Sequence, residues 1–159
     1  MRKEQLRIIT GGQTGADRAA LDFALHYEIS CGGYCPKGRK AEDGPISDIY
    51  PLKELLSARY SDRTKKNIEV SDGTLIFSIG LGLDRGTRLT LEYCKKLNKP
   101  YFIYPLDREK TEKPESLFNW IKDHGIVTLN VAGNRERYSS GIYRLVYEAL
   151  VRFYHHYLS

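Results

Sequence analysis

The stretch Leu6-Arg-Ile-Ile-Thr10-Gly11-Gly12-Gln13-Thr14-Gly15-Ala16-Asp17 carries an apolar strand through closely spaced glycines directly into a helix. Without a Cβ at Gly11, Gly12 and Gly15, an anion can approach the backbone amides, and the positive end of the following helix faces it. A phosphate or another oxyanion is the matching partner, although three glycines alone would equally suit a tight turn with no ligand. Downstream, Ala16, Ala20, Phe23, Ala24 and Tyr27 recur at helical spacing, and Asp17 stands in the first turn, where an acid complements the dipole.

The same alternation continues along the chain. Short runs rich in β-branched and aromatic residues predict further strands at 29–34, 74–79, 100–104 and 127–131, and helices are expected at 62–70, 87–97, 114–124 and 141–158. Strand and helix in turn imply right-handed βαβ units: an α/β, Rossmann-like, three-layer domain over residues 1–159 with a five-stranded, mainly parallel sheet. Residues 35–61, with Pro36, Gly38, Gly44, Pro45 and Pro51, are too long for a bare connector and read as a functional loop.

A second turn repeats the design. The strand ending near Ser78 runs into Gly80-Leu-Gly82-Leu-Asp-Arg-Gly86-Thr87-Arg88-Leu89-Thr90, with Thr87 able to cap a helix. If the first and third strands are neighbours, both loops converge beyond the carboxyl ends of the strands. A third turn, Asn130-Val-Ala-Gly133-Asn134-Arg135, leaves the last strand at that edge and offers Arg135 as a planar clamp for an oxyanion, or as an exposed arginine in a turn.

Composition narrows the classes. The 159 residues are 41% hydrophobic and 28% charged, as in an ordinary globular protein. No apolar run approaches the roughly 18 residues of a membrane span, and Met1-Arg-Lys-Glu-Gln lacks the apolar core of a signal peptide, so a cytoplasmic location is expected. Three cysteines fit a reducing compartment; Cys31 and Cys35, about 13 Å apart on an extended strand, are too distant for one bridge or ion unless the chain turns at Gly32-Gly33. The net charge of +5 favours an anionic partner, yet residues 35–72 hold eight Lys/Arg against seven Asp/Glu, so no stripe for nucleic acid is evident.

Several nucleotide sites are excluded by pattern. There is no G-x-x-x-x-G-K-[ST], and Gly11-Gly12-x-x-Gly15 is not G-x-G-x-x-G. Where a dehydrogenase places an acid for the ribose, this chain has Cys35-Pro36-Lys37-Gly38-Arg39-Lys40, which favours a further phosphate or carboxylate. The histidines, His26, His124, His155 and His156, fall in or at the ends of helices, away from the glycine loops. Glu42, Asp43 and Asp48 form an acidic cluster that could take Mg²⁺ or a ligand's amino groups, or simply face water.

The motifs Gly11-Gly12-Gln13-Thr14-Gly15-Ala16-Asp17, Cys35-Pro36-Lys37-Gly38-Arg39-Lys40-Ala41-Glu42-Asp43-Gly44-Pro45, Ser71-Asp72-Gly73-Thr74-Leu75-Ile76, Gly86-Thr87 with Thr90, and Asn130-Val131-Ala132-Gly133 with Arg135-Glu136 resemble the molybdenum carrier family over nearly the whole chain. That family lies in a Rossmann-like superfamily with the lysine-decarboxylase-like phosphoribohydrolases and the DNA-processing protein of natural transformation. The resemblance implies a carrier for molybdenum cofactor, a phosphorylated pterin bearing a molybdenum dithiolene, with molybdenum enzymes or cofactor-making proteins as partners. It places the ligand at Gly11, Gly12, Gln13, Thr14, Gly15, Ala16, Asp17, Pro36, Lys37, Gly38, Arg39, Ser78, Gly80, Gly82, Gly86, Thr87, Thr90, Asn130, Gly133 and Arg135, with no catalytic or metal-ligating residue. A nucleoside phosphate is the alternative ligand, and a nucleotide hydrolase or a nucleic-acid module the alternative functions. Against the hydrolase, the phosphoribohydrolases carry a catalytic glutamate where this chain has Thr90, and Glu92 would point about 200° away around the helix. The turn into the last helix reads Ser140-Gly141-Ile142-Tyr143 where the family has Pro-Gly-Ile-Tyr.

The last helix adds one more expectation. Beside the apolar face of Ile142, Leu145, Val146, Ala149, Leu150, Phe153 and Tyr157, residues Tyr143, Tyr147, Val151, Tyr154 and Leu158 widen the hydrophobic surface. A homo-oligomer interface is expected there, with a broad core-facing stripe as the other reading.

Overall fold

The computed structural model describes residues 1–80, 82–107 and 113–159. Its central sheet contains β1 (Arg7–Ile9), β2 (Ser30–Gly32), β3 (Gly73–Ser78), β4 (Tyr101–Pro105) and β5 (Thr128–Gly133). Five helices, α1 (Ala16–His26), α2 (Tyr60–Val70), α3 (Arg85–Lys96), α4 (Pro114–Asp123) and α5 (Ile142–Tyr157), connect and cover it. Every strand pairing in this sheet is parallel, and the order is β2-β1-β5-β3-β4. The architecture is the expected Rossmann-like α/β one.

The first and third strands are not neighbours. β5 lies between them, with Arg7 opposite Thr128 on one side and Gly73 opposite Leu129 on the other. Counting strands from β5 and returning to β1 gives the doubly wound order 3-2-1-4-5, so the winding reverses between β5 and β3. The loops after β1 and β3 still meet, because the loop after β5 stands between them.

Alternation along the strands gives the two faces different chemistry. Ile8, Leu75, Phe77, Leu129 and Val131 point to one face, into a hydrocarbon core with Phe23 of α1, Leu117 and Ile121 of α4, and Ile142, Val146 and Phe153 of α5. Thr74, Ser78 and Asn130 alternate to the other face, where α2 buries Arg63, Asn67 and Ile68, and α3 buries Thr87, Thr90 and Cys94. A buried polar layer needs internal partners. Asn130 Nδ2 donates to Thr74 Oγ1 at 3.2 Å, and the Asn67 amide exchanges two hydrogen bonds with the backbone of Tyr34.

The second strand is shorter than residues 29–34 predict. Pairing in the main sheet stops at Gly32, and Tyr34–Cys35 pairs instead with Lys53–Glu54. Residues 35–59 form a strap containing the antiparallel pair Lys40–Ala41 and Gly44–Pro45, held on α1 by a second apolar cluster of Leu21, Cys35, Ala41, Ile46, Tyr50 and Leu52. On α5 the wide stripe is met within the chain. Tyr147 and Tyr154 stand edge-on to Phe23 at 6.4 and 6.3 Å, Tyr154 lies 4.3 Å from Tyr27, and Tyr157 stacks on Phe118 at 4.4 Å. The stripe's width is therefore accounted for by α1 and α4 and carries no argument about assembly.

At the centre of the sheet Gly133 leaves no room for a side chain. A Cβ there would lie 2.5 Å from the Ala16 methyl and 2.8 Å from the Phe77 carbonyl oxygen. Gly133→Ala is expected to destabilise the fold by about 1–3 kcal/mol, through displacement of α1 from β5. Urea unfolding of variant and wild type measures it; equal midpoints would show that α1 is not pressed against this strand.

Candidate functional site

Three loops meet above the carboxyl ends of β1, β3 and β5, and one fully buried side chain joins them. Asn134 Oδ1 accepts the Asp84 N–H at 2.9 Å, Nδ2 donates to Gly82 O and Ser139 Oγ, and the backbone oxygen accepts Ala16 N–H at 3.4 Å. Asp84 closes the junction from the other side. As N-cap of α3 it accepts Thr87 N–H at 2.7 Å through Oδ1, while Oδ2 accepts Arg135 N–H at 2.9 Å. Thr87, expected to cap the helix, is instead in its first turn. Thr90 is buried and donates its hydroxyl to Gly86 O at 3.1 Å.

The result is a crevice of about 50 Å³ at the point where the winding reverses. From the sequence-predicted set it gathers Gly11, Gln13, Asp17, Gly86, Thr87, Thr90, Asn130, Gly133 and Arg135. To these the fold adds Arg63, Thr64 and Asn67 of α2, Asp84, Val131 and Ala132. Arg63 is the main addition. It is 7% exposed, donates to Gly11 O at 3.0 Å, and fills the space that a Cβ on Gly11 would need.

Other residues of that set serve the walls. Gly12 makes room for Leu52 and Ile46, and Gly15 for the backbone of residues 134–136, whose Asn134 O would be 2.5 Å from a Cβ. Thr14 accepts Glu136 N–H and donates its hydroxyl to Glu42, and Ala16 is tied to Asn134. In the strap, Lys37 N–H goes to Ser57 O and Gly38 N–H to Glu54, while Pro36 lies beside them. The Arg39 guanidinium is spent on the carbonyls of Ile46, Ser47, Tyr50 and Leu52, which braces the strap and turns this cation away from the crevice. Ser78 is buried at the end of β3, Gly80 and Gly82 flank Leu81, which lies outside the described residues, and the four histidines are exposed elsewhere.

The electrostatics of the crevice are those of paired, buried charges. Asp17 is 8% exposed, and burial raises its carboxyl from 3.8 to about 6, against the opposing pull of Arg63 and the Gln13 N–H that it accepts at 3.2 Å. Burial pulls the Arg63 guanidinium down, Asp17 opposes this, and nearby Arg135 adds to it. Arg63, Arg135 and Lys40 all stand over the Tyr60 ring, at 5.2, 5.6 and 4.5 Å. Arg135 also lies 3.7 Å from Glu42 and 3.9 Å from Asp84, beyond hydrogen-bond range, with its side chain 31% exposed. Two guanidiniums thus face a cleft flanked by the N-terminal ends of α1 and α3, a setting that suits an incoming anion. Gln13, 6% exposed, leaves its Nε2 without a hydrogen-bond partner among the described residues.

Among the described residues no group of His, Cys, Asp and Glu could hold a metal ion. Cys31 and Cys35 are free, and burial raises both thiols. No helix is long and apolar enough to cross a membrane among the described residues.

Comparisons with known proteins identify the family and the fold. Residues 8–154 match the model of the Circularly permutated YpsA SLOG family. The fold matches a crystal structure from Syntrophus aciditrophicus SB, described as a "Putative molybdenum carrier protein", with TM-score 0.86 and 41% identity over 92% of this chain and 93% of that one. No curated protein matches.

The raised Asp17 pKa has a sign that can be measured. Between 3.8 and about 6 the folded state holds the proton and the unfolded state releases it, so this group lowers stability as pH rises through that window. Above it the penalty is on the order of 3 kcal/mol. Asp17→Asn should lack that fall, and urea unfolding at pH 4.5 and 7.5 compares the two proteins; a difference that does not change with pH would show the carboxyl to be charged at both.

Proposed function

The chain belongs to the circularly permutated YpsA SLOG family, and we propose that it acts there as a non-catalytic binding or carrier protein for a phosphorylated pterin- or nucleotide-like ligand, with molybdenum cofactor as the specific candidate. The observation that carries this reading is the pair of guanidiniums, Arg63 and Arg135, facing one crevice between the N-termini of α1 and α3. The description of the Syntrophus protein supports the cofactor; the donor set supports its phosphate end. Arginine and amide donors suit a phosphate, and the crevice presents no cysteine or histidine for the metal itself. With about 50 Å³ inside, against roughly 300–1,000 Å³ for a drug-sized site, the ring system would lie toward Tyr60 and the strap rather than deep between the loops. A cytoplasmic carrier of this kind would hand its ligand to proteins that make or use the cofactor.

No catalytic role is assigned. Thr90 offers a hydroxyl already given to Gly86, and Asp17 is the crevice carboxyl that burial raises to about 6. Incubation with nucleoside 5′-monophosphates should release negligible free base by chromatography. Turnover near an ordinary enzyme's 10 per second, at about that order, would overturn the carrier reading and point to Asp17 as the proton donor.

Ligand binding should raise thermal stability. At about 100 times its Kd a phosphorylated ligand adds roughly 2.7 kcal/mol, visible as several degrees in Tm. Arg135→Gln removes one of the two guanidiniums without opening the core and should weaken binding by about 10–100-fold. Titration calorimetry with GMP decides it: undiminished affinity in the variant would take Arg135 out of the site.

A further inference from the structure

Two buried atoms beside the crevice lack partners, and they are chemically complementary. Gln13 Oε1 accepts Thr14 N–H at 3.1 Å and Glu42 N–H at 2.9 Å, which fixes the amide so that Nε2 is the free end. Glu42 Oε1 accepts the Thr14 hydroxyl and the Arg137 N–H at 3.2 Å, which fixes the carboxylate so that Oε2 is the free end. Each side chain is at least nine-tenths buried. One knot, centred on Thr14, therefore holds a donor and a carboxylate acceptor that no hydrogen bond among the described residues satisfies. Unpaired groups of this kind are costly, so an arrangement that pins both points to an outside partner.

We infer that Gln13 Nε2 and Glu42 Oε2 read the edge of a nitrogen heterocycle that carries an N–H donor next to an acceptor, as the lactam or amidine edge of a purine or pterin does. The inference rests on the anion-binding reading above, since the phosphate would occupy the guanidiniums and the ring the neighbouring edge. Arg135 connects the two events. Its guanidinium stands 3.7 Å from Glu42 Oε2, close enough to shield that oxygen but too far to satisfy it. A phosphate that draws Arg135 toward the crevice uncovers the acceptor for the ring. The Glu42 carboxylate, one of three acids in this loop, is thereby separated from its neighbours: Asp43 pairs with Arg18 at 3.0 Å, and Asp48 is fully exposed.

The test compares ligands that share ring size and phosphate. IMP, GMP and AMP each present a donor beside an acceptor, whereas purine riboside 5′-monophosphate has the acceptor without the donor. Calorimetric Kd values for the wild-type protein should be about 10–100-fold lower for the best of the first three than for purine riboside 5′-monophosphate. Glu42→Gln turns the charged acceptor into a donor and should bring that ratio to within about twofold. Equal affinities for all four in the wild-type protein would overturn the inference, assign the two atoms to a buried water, and leave the phosphate reading standing. If none of the four binds, and inorganic phosphate does not either, the anion site itself fails.

Discussion

Asn134 has no exposed surface, and its side chain and backbone oxygen touch the segments leaving β1 and β3 as well as its own. Each of those contacts replaces water around a polar group that would otherwise be buried unpaired. The rest of the site follows from this one residue. Asp84 is aimed by Asn134, Arg135 N–H is held by Asp84, and the α1 N-terminus is drawn against the same junction. Gly15 allows it, because the backbone of 134–136 occupies the place of a side chain there. The glycine loop is thus in part a seat for another loop.

The two sides of the sheet divide the labour. Under α1, α4 and α5 the core is hydrocarbon, with aromatic pairs from Phe23 to Tyr157 fixing the helices. Under α2 and α3 it is a layer of threonine, asparagine and arginine that leads into the crevice. An apolar layer tolerates volume-conserving exchange, whereas a polar layer depends on each partner being present. Buried Arg63 is the clearest instance: it braces Gly11, compensates Asp17 and repels Arg135, so its position sets the charge balance that a ligand meets.

The βαβ rhythm was legible in the sequence because parallel strands are short apolar runs separated by amphipathic helices. Sheet order was not, since periodicity within β1, β3 and β5 says nothing of which strand lies beside which. Of the loop glycines, Gly11, Gly86 and Gly133 line the crevice, but the pattern itself does not separate a glycine on an open cleft from one packed against protein, as at Gly12 and Gly15. Arg63 and Asp84 are not among the residues to which the motifs point. Asp84 carried a signal, an Asp three residues before Thr87 being as good a cap as any. Arg63 carried a subtler one: the helix Tyr-Ser-Asp-Arg-Thr-Lys-Lys-Asn-Ile-Glu-Val has too few apolar residues to bury an ordinary face, so something polar had to go inside.

The position of β5 has a consequence for how the chain acquires its structure during synthesis. Before residues 128–133 are made, β1 can pair with β2 and β3 with β4, but no strand hydrogen bond joins the two pairs, because both reach each other through β5. Two-stranded units are marginal in water. Neither pair therefore gains the strand that joins it to the other until β5 arrives, and α5 must follow to cover the apolar face. A ribosome moving at about 5–20 residues per second takes several seconds to cross residues 35–127, an interval during which the inner edge of β1 lacks its native partner. Chaperone dependence during translation would be the cellular trace of placing the central strand last.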